Sequence, residues 1–255
     1  MITAAALAIG DELLSGRTRD ENVGHLAAWL TARGISLREA RIVADDVSAI
    51  AAALNDLRAA HRYVFTSGGI GPTHDDMTVD AVAAAFGVDV VVDRRAMALL
   101  RGWYEAKGEE VTPARARMAR LPDGAALVEN PVSGAPGARI DNVFILAGVP
   151  KIFRAMLDAV DADLERGDVI ASRAVTAAGL PESRLADDLR RIQEGAGGVA
   201  IGSYPIDGDA KGVTVIARAV DAGAADAAID AVSDAMRALG AEPVAGDHRT
   251  ARDRC

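Results

Sequence analysis

Residues 2–9, ITAAALAI, are apolar at all but one position, with none of the in-out alternation of a half-exposed strand. Such a run suits a strand buried on both faces, the condition of a parallel sheet covered by helices. The following segments agree. Val23, Leu26, Ala27 and Leu30 fall at i, i+3, i+4 and i+7, one face of an amphipathic helix, with Gly34 placed to end it. Residues 37–44 read as a second strand. Asp46 reads as the cap of a helix whose buried face is Val47, Ile50, Ala51 and Leu54. Tyr63-Val64-Phe65-Thr66 is a third strand, and helix resumes from about Thr78 to Gly87. Asn142 to Leu146 is a further apolar strand, followed by a short loop at 147–150 and a helix to about Arg166. Strands alternating with amphipathic helices predict a doubly wound, mostly parallel α/β sheet.

The pattern changes at Gly167-Asp168. Strand 169–177, helix 181–193, strands 199–204 and 213–219, helix 224–239 and a short strand at 242–244 follow in turn. The order βαββαβ predicts a small ferredoxin-like α+β domain. Two domains are expected, residues 1–166 and 167–255.

Open α/β sheets bind ligands beyond the carboxyl ends of their strands. Two loops there are distinctive: Gly10-Asp11-Glu12 after the first strand and SGGIGPTHDD, 67–76, after the third. Glycines let backbone approach an anion closely, and successive N–H groups form a nest for it. A tight turn without a ligand uses the same residues. The loop is neither a Walker motif, lacking Gly-Lys-Ser/Thr, nor a dinucleotide fingerprint. A side chain at Gly69 is expected to fill the space where phosphate approaches, at little cost to the fold.

Asp75 and Asp76 precede a helix, and either could be its N-cap. Carboxylates beside an anion site repel the anion unless a cation bridges them, as magnesium does with one or two carboxylates plus phosphate oxygens. The loop therefore reads as a metal–phosphate site, with Asp76 and Asp11 as the candidate catalytic and metal-binding carboxylates. Asn22 could cap a helix or bond a ligand amide or hydroxyl. His74 reads as a solvated surface group, and the Gly/Pro-rich stretch 130–137, taken alone, as a connector.

Composition excludes several alternatives. The net charge is −9 with no basic stripe, and aromatics make up 4%, so nucleic acid is a poor partner. The one cysteine, Cys255, allows neither a disulfide framework nor a cysteine zinc site. A reducing cytoplasm fits. No signal peptide is expected from MITAAALAIGDELL, which lacks a cationic start, and no apolar stretch is long enough to cross a bilayer.

IGDELLSG at 9–16, Asn22, SGGIGPTHDDMT at 67–78, NPVSGAPG at 130–137 and AGVP at 147–150 together resemble the MoaB/Mog molybdopterin-binding domain. The resemblance is closest to the CinA-like (competence/damage-inducible protein A) branch, and the pattern GGxGPTxDDxT is its most specific part. It covers about residues 1–165. The second unit, with GSYP at 202–205, is similar to the small domain that follows in CinA-like proteins. The deamidase domain that closes full-length CinA proteins is not expected within these 255 residues.

The resemblance implies a three-layer α/β/α fold that binds molybdopterin or a nucleotide-like ligand, in a homo-oligomer. It implies hydrolysis of a dinucleotide pyrophosphate such as ADP-ribose or FAD with a divalent metal, Mg2+, Mn2+ or Co2+. The alternatives are a non-catalytic pterin- or nucleotide-binding module, or adenylyl transfer to molybdopterin in molybdenum cofactor synthesis. By resemblance Gly68, Gly69 and Gly71 contact phosphate, and Ser67, Thr78, Asn22 and Gly134 join the ligand site. Asp76 holds metal or polarises the reacting phosphate, and Asp11 occupies the family's first acidic loop position. Ser67 stands where threonine is usual, Ser133-Gly134 where Gly-Thr is common, and Ala147 where proline is common.

Overall fold

The first strand, β1 (Ile2–Ile9), is buried on both faces, and its side chains divide between two cores. A computed structural model describes residues 1–206 and 211–246, so Cys255 lies outside the described residues. The chain divides into two compact units, Met1–Gly167 and Asp168–Cys255.

In the first unit β1 leads into a single helical turn, α1 (Asp11–Leu14), then α2 (Asn22–Thr31), β2 (Ile35–Val43), α3 (Val47–Ala60), β3 (Tyr63–Ser67) and α4 (Thr78–Phe86). Asp46 caps α3 as the sequence predicts, accepting a hydrogen bond from the Ala49 N–H. Then come β4 (Val90–Val92), α5 (Arg94–Glu105), α6 (Pro113–Ala116), β5 (Arg120–Pro122), β6 (Ala126–Val128), β7 (Gly137–Ile140), β8 (Val143–Leu146) and α7 (Pro150–Ala159). The helix after β8 was expected to reach about 166. It ends at Ala159, and a 3-10 turn at Asp161–Asp163 follows.

The main sheet has the order β2-β1-β3-β8-β7-β6. β2, β1, β3 and β8 are parallel, while β7 and β6 are antiparallel, and β4 pairs with β5 in a separate ribbon. Because β-strand side chains alternate, Ala5, Leu7 and Ile9 face one side and Ala4 and Ala6 the other. The first side packs on α3, α4 and α5 through Ile50, Leu54, Leu57, Val82 and Leu100. The second packs on α2 and α7 through Leu26, Leu30, Phe153 and Leu157. The result is a three-layer α/β/α unit.

The second unit contains β9 (Ala171–Ala178), α8 (Glu182–Gly195), β10 (Ala200–Ile206), β11 (Gly212–Ala219), α9 (Ala222–Ala238) and β12 (Pro243–Ala245). Its sheet, β10-β11-β9-β12, is antiparallel between all neighbours, so β9 and β10 run the same way on either side of β11. That is the split βαβ arrangement of a ferredoxin-like unit. Val175, Val213 and Val215 pack there against Leu185 of α8 and Val232 and Met236 of α9. Among the described residues no helix is long and apolar enough to cross a membrane.

Candidate functional site

The topology decides where a ligand can sit. From β1 the chain crosses to β2 on one side and returns to β3 on the other, so the strand order reverses at β1. A crevice opens at such a switch point because the two following loops leave in opposite directions. The loops after β1, β3 and β8 meet there, and glycine permits the approach. A Cβ at Gly68, whose φ is +110°, would lie 2.3 Å from the Ile9 carbonyl oxygen, and one at Gly148 would lie 3.1 Å from Gly68 Cα. The cleft they bound has a volume of about 560 Å³, within the range of small-molecule sites. Its walls include Gly69, Gly71, Glu12, Asp45, Asp75 and Asn130.

The glycine loop is braced by its own side chains. Asp76 Oδ1 accepts the Gly71 N–H at 2.6 Å, and Oδ2 accepts the Thr73 N–H at 2.7 Å and the Thr73 hydroxyl at 2.5 Å. A Cβ at Gly71 would collide with that carboxylate at 2.7 Å. Asp76 therefore fills the inside of the loop, with most of its acceptor capacity spent on it. Neither Asp75 nor Asp76 caps α4. The residue before that helix is Met77, with no side-chain cap, because the loop has drawn the Asp76 carboxylate inward. Thr78, expected beside the ligand, is fully buried behind the loop and donates its hydroxyl to the Gly68 carbonyl at 2.8 Å. The space beside Gly69 is occupied as well. A Cβ there would lie 2.2 Å from Thr78 Oγ1, and φ is +65°, so the expectation of a substitution tolerated by the fold is corrected.

The Gly68 N–H is committed to the Leu146 carbonyl and that of Gly71 to Asp76. The N–H groups of Gly69 and Ile70, between them, have no such protein acceptor.

Asn22 and Ser67 tie the strand ends together. The Asn22 amide donates to Ser67 Oγ at 2.8 Å and to the Gly148 carbonyl at 2.7 Å, and both side chains are buried. Gly134 faces away from the ligand space. A Cβ there would strike Trp103 at 2.3 Å, while its neighbours Asn130, Ser133 and Ala135 line the cleft. Asn130 holds that loop, donating to Ser133 Oγ and the Ala135 carbonyl and accepting from the Val132 and Ser133 amides. His74 is exposed, as expected.

At the acidic end, Asp11 is exposed and Glu12 lines the cleft in its stead. The Asp11 backbone N–H donates to Asp45 Oδ2 at 2.9 Å. Asp45, which sequence reasoning missed, follows β2 and faces the same crevice. Burial pushes its carboxyl above the ordinary range; the Asp11 N–H opposes this, and the charges of Asp11, Glu12 and Asp75 add to it. The signal available in the sequence was position, since Asp45 is a third acidic residue just past a strand's carboxyl end.

Comparison with known proteins gives a consistent answer. The family described as a probable molybdopterin binding domain matches residues 5–165. A Thermoplasma acidophilum protein is 34% identical over 210 residues, covering 80% of this chain and 81% of its own. CinA-like proteins from Gemmatimonas aurantiaca and Geobacter metallireducens are each 35% identical, over 77% and 96% of this chain. The chain spans 49% and 62% of their respective lengths. A crystal structure of a Thermoplasma acidophilum protein called CinA, of unknown function, superposes with a TM-score of 0.58. It is 36% identical and covers 63% of this chain and 96% of that one.

Proposed function

Because this chain belongs to the family of probable molybdopterin binding domains, as a MoaB/Mog-fold, CinA-like protein, we propose what its cleft does. The cleft holds a phosphorylated pterin or nucleotide and, with a divalent cation, hydrolyses a nucleotide pyrophosphate of the ADP-ribose or FAD type. One observation carries the reading: a partly buried carboxylate, Asp45, stands among three others in the cleft that the glycine loop lines. Uncompensated negative charge at a phosphate site calls for a cation.

The donor set fits such an ion. No three acidic or histidine side chains among the described residues form a ready cage. Magnesium characteristically takes one or two carboxylates and completes its shell with water and phosphate oxygens. Glu12 and Asp75, which line the cleft, would hold it, with Asp11 adding charge from the exposed side and Asp45 left free to accept a proton. Asp76, whose oxygens are held by loop donors, acts as a strut. The bound cation would neutralise phosphate charge and acidify an attacking water.

The chain's own groups supply the rest. The Gly69 and Ile70 N–H groups hold phosphate oxygens and stabilise the negative charge that grows in the transition state. Asp45, more basic than an ordinary carboxylate, takes the proton from water as the water oxygen bonds to phosphorus. The bridging P–O bond breaks, the second phosphate leaves with its electron pair, and two monophosphates result. The test is a panel of ADP-ribose, FAD and NAD with magnesium, manganese or cobalt, followed by product chromatography. Metal-dependent release of monophosphates supports the reading. Tight binding without turnover of any member would leave a binding module.

A further inference from the structure

Asn22 has one hydrogen-bonding atom left over. It is the first residue of α2, yet its side chain takes no part in capping, because Asp20 Oδ1 accepts the Val23 N–H at 2.8 Å. Both protons of its amide are spent, on Ser67 Oγ at 2.8 Å and the Gly148 carbonyl at 2.7 Å. A carbonyl can only accept, so the nitrogen must face Gly148 and the remaining terminal atom is the oxygen. That oxygen, Oδ1, is buried without a hydrogen-bond partner, on a residue only 4% exposed. Buried polar atoms are nearly always paired, so an unpaired one marks a place for a partner from outside the chain. Ser67 completes the pattern. Its Oγ accepts from Asn22, while its own proton goes to no described residue.

Both side chains line a second pocket, with a volume of about 90 Å³. Neither lines the 560 Å³ cleft, although Gly148 and Pro150 line both. A cavity of ~150 Å³ takes a benzene ring, so this smaller pocket takes a group of a few atoms. Asn22 offers it an acceptor and Ser67 a donor. The matching ligand group carries a donor next to an acceptor, as a primary carboxamide does with its NH2 and its carbonyl. Charge sorts the candidates further. Glu12, Asp20 and Glu21 line the pocket against one cation, Arg19, so a carboxylate of the same shape is repelled. We propose that this pocket binds a primary carboxamide, whose NH2 donates to Asn22 Oδ1 and whose carbonyl accepts from Ser67 Oγ. Such a site goes beyond the phosphate chemistry of the cleft and does not depend on it.

The test is an NMR titration of isotope-labelled protein with benzamide, benzoate and N,N-dimethylbenzamide, whose rings stay outside the pocket. Benzamide should bind with a Kd on the order of a millimolar, as suits so small a ligand, and shift the Asn22 side-chain NH2 and Gly148 signals. Benzoate is charged and has no donor; dimethylbenzamide keeps the carbonyl but has no N–H. Each should bind at least about tenfold more weakly. Ser67→Ala leaves Asn22 its bond to Gly148 and should weaken benzamide binding by roughly fivefold to tenfold. Should that variant fail to fold, the ligand series on wild type decides alone. Equal binding of the three compounds overturns the assignment. So do an unchanged benzamide affinity in folded Ser67→Ala, shifts confined to the cleft loops at 69–71 and 133–135, or no shift at tens of millimolar benzamide. Nucleotide binding in the cleft is read on those loops instead, so its presence or absence leaves this result unchanged.

Discussion

Replacing Asp76 by asparagine separates a loop strut from a metal ligand. Three donors converge on its carboxylate: the Gly71 and Thr73 amides and the Thr73 hydroxyl, at 2.6, 2.7 and 2.5 Å. Asparagine keeps one acceptor oxygen and sets an NH2 group where the other was. If the oxygen stays on Gly71, the Thr73 N–H faces the new NH2 donor to donor, while the Thr73 hydroxyl can turn to accept from it. Bonds to a charged acceptor contribute about 1.5–3 kcal/mol each, and this carboxylate is partly exposed, so about 2 kcal/mol is the expected loss. For a chain of this size that corresponds to a fall of roughly 4–8 °C in the melting temperature. Ligand affinity should fall too, because the loosened loop no longer presents the Gly69 and Ile70 amides in one conformation. Asp75→Asn, at an exposed position, should stay within about 0.5 kcal/mol of wild type. The assay is calorimetric melting without ligand or metal, followed by nucleotide titration. If Asp76→Asn melts like wild type but loses metal-dependent turnover, the strut argument is wrong and the carboxylate works on the ligand side.

Gly69→Val should destabilise the protein by about 3 kcal/mol, combining left-handed backbone strain with overpacking against Thr78; an unshifted denaturant midpoint would contradict this. Asp45→Asn keeps an acceptor for the Asp11 amide, so it should fold and bind ADP yet lose turnover by about a hundredfold, the scale of a lost general base. In wild type, turnover should fall on the acid side as Asp45 gains its proton, at a higher pH than an ordinary carboxylate would require, because burial, the largest cause of its raised pKa, persists when a cation offsets the neighbouring charges; a rate profile flat down to pH ~4 excludes Asp45 as the base. Asp93 caps α5, and its carboxyl is held down to about 2 by the Arg95 guanidinium and the Ala96 and Arg95 amides. Its folded pKa lies below the unfolded value of 3.8, so its stabilisation is present above that pH and lost as pH falls through about 2. Asp93→Asn should cost about 1 kcal/mol near neutral pH and progressively less in acid, read by urea melts across pH.

The parts of the fold legible in the sequence are those with long, regular patterns. β1 announced itself because six consecutive residues, Ala4 to Ile9, are buried between two helical layers, which demands an apolar run. The second unit was readable because β9, β10, β11 and its two helices are each seven residues or longer. The span 88–141 was not. β4, β5 and β6 have three residues each and β7 has four, too few for a period to show, and Pro122 sits inside β5. α5 is the exception. Asp93 as cap and Ala96 and Leu100 as a buried face were all visible in principle.

The site was legible as a place, and less so as an assignment of roles. Sequence shows which residues lie past a strand's end, which is why the glycine loop and the acidic loop both appear around one crevice. It does not show where a side chain turns. Asp11 and Glu12 are adjacent, and only the helical turn of α1 decides that Glu12 faces the cleft. Asp45 and Asp46 are adjacent too; the capping signal of Asp46 was so strong that its neighbour passed as surface. Asp76 misled for the opposite reason. A carboxylate beside a glycine loop has the same spacing whether it meets a cation or closes the loop on itself. Gly71 carried the discriminating hint, because a residue without Cβ leaves room either for a ligand or for the chain's own carboxylate, and here the carboxylate takes it. The consequence reaches the ligand. With the Gly68 N–H on the Leu146 carbonyl and the Gly71 N–H on Asp76, a ligand at this loop would have to draw on other amides, those of Gly69 and Ile70 among them.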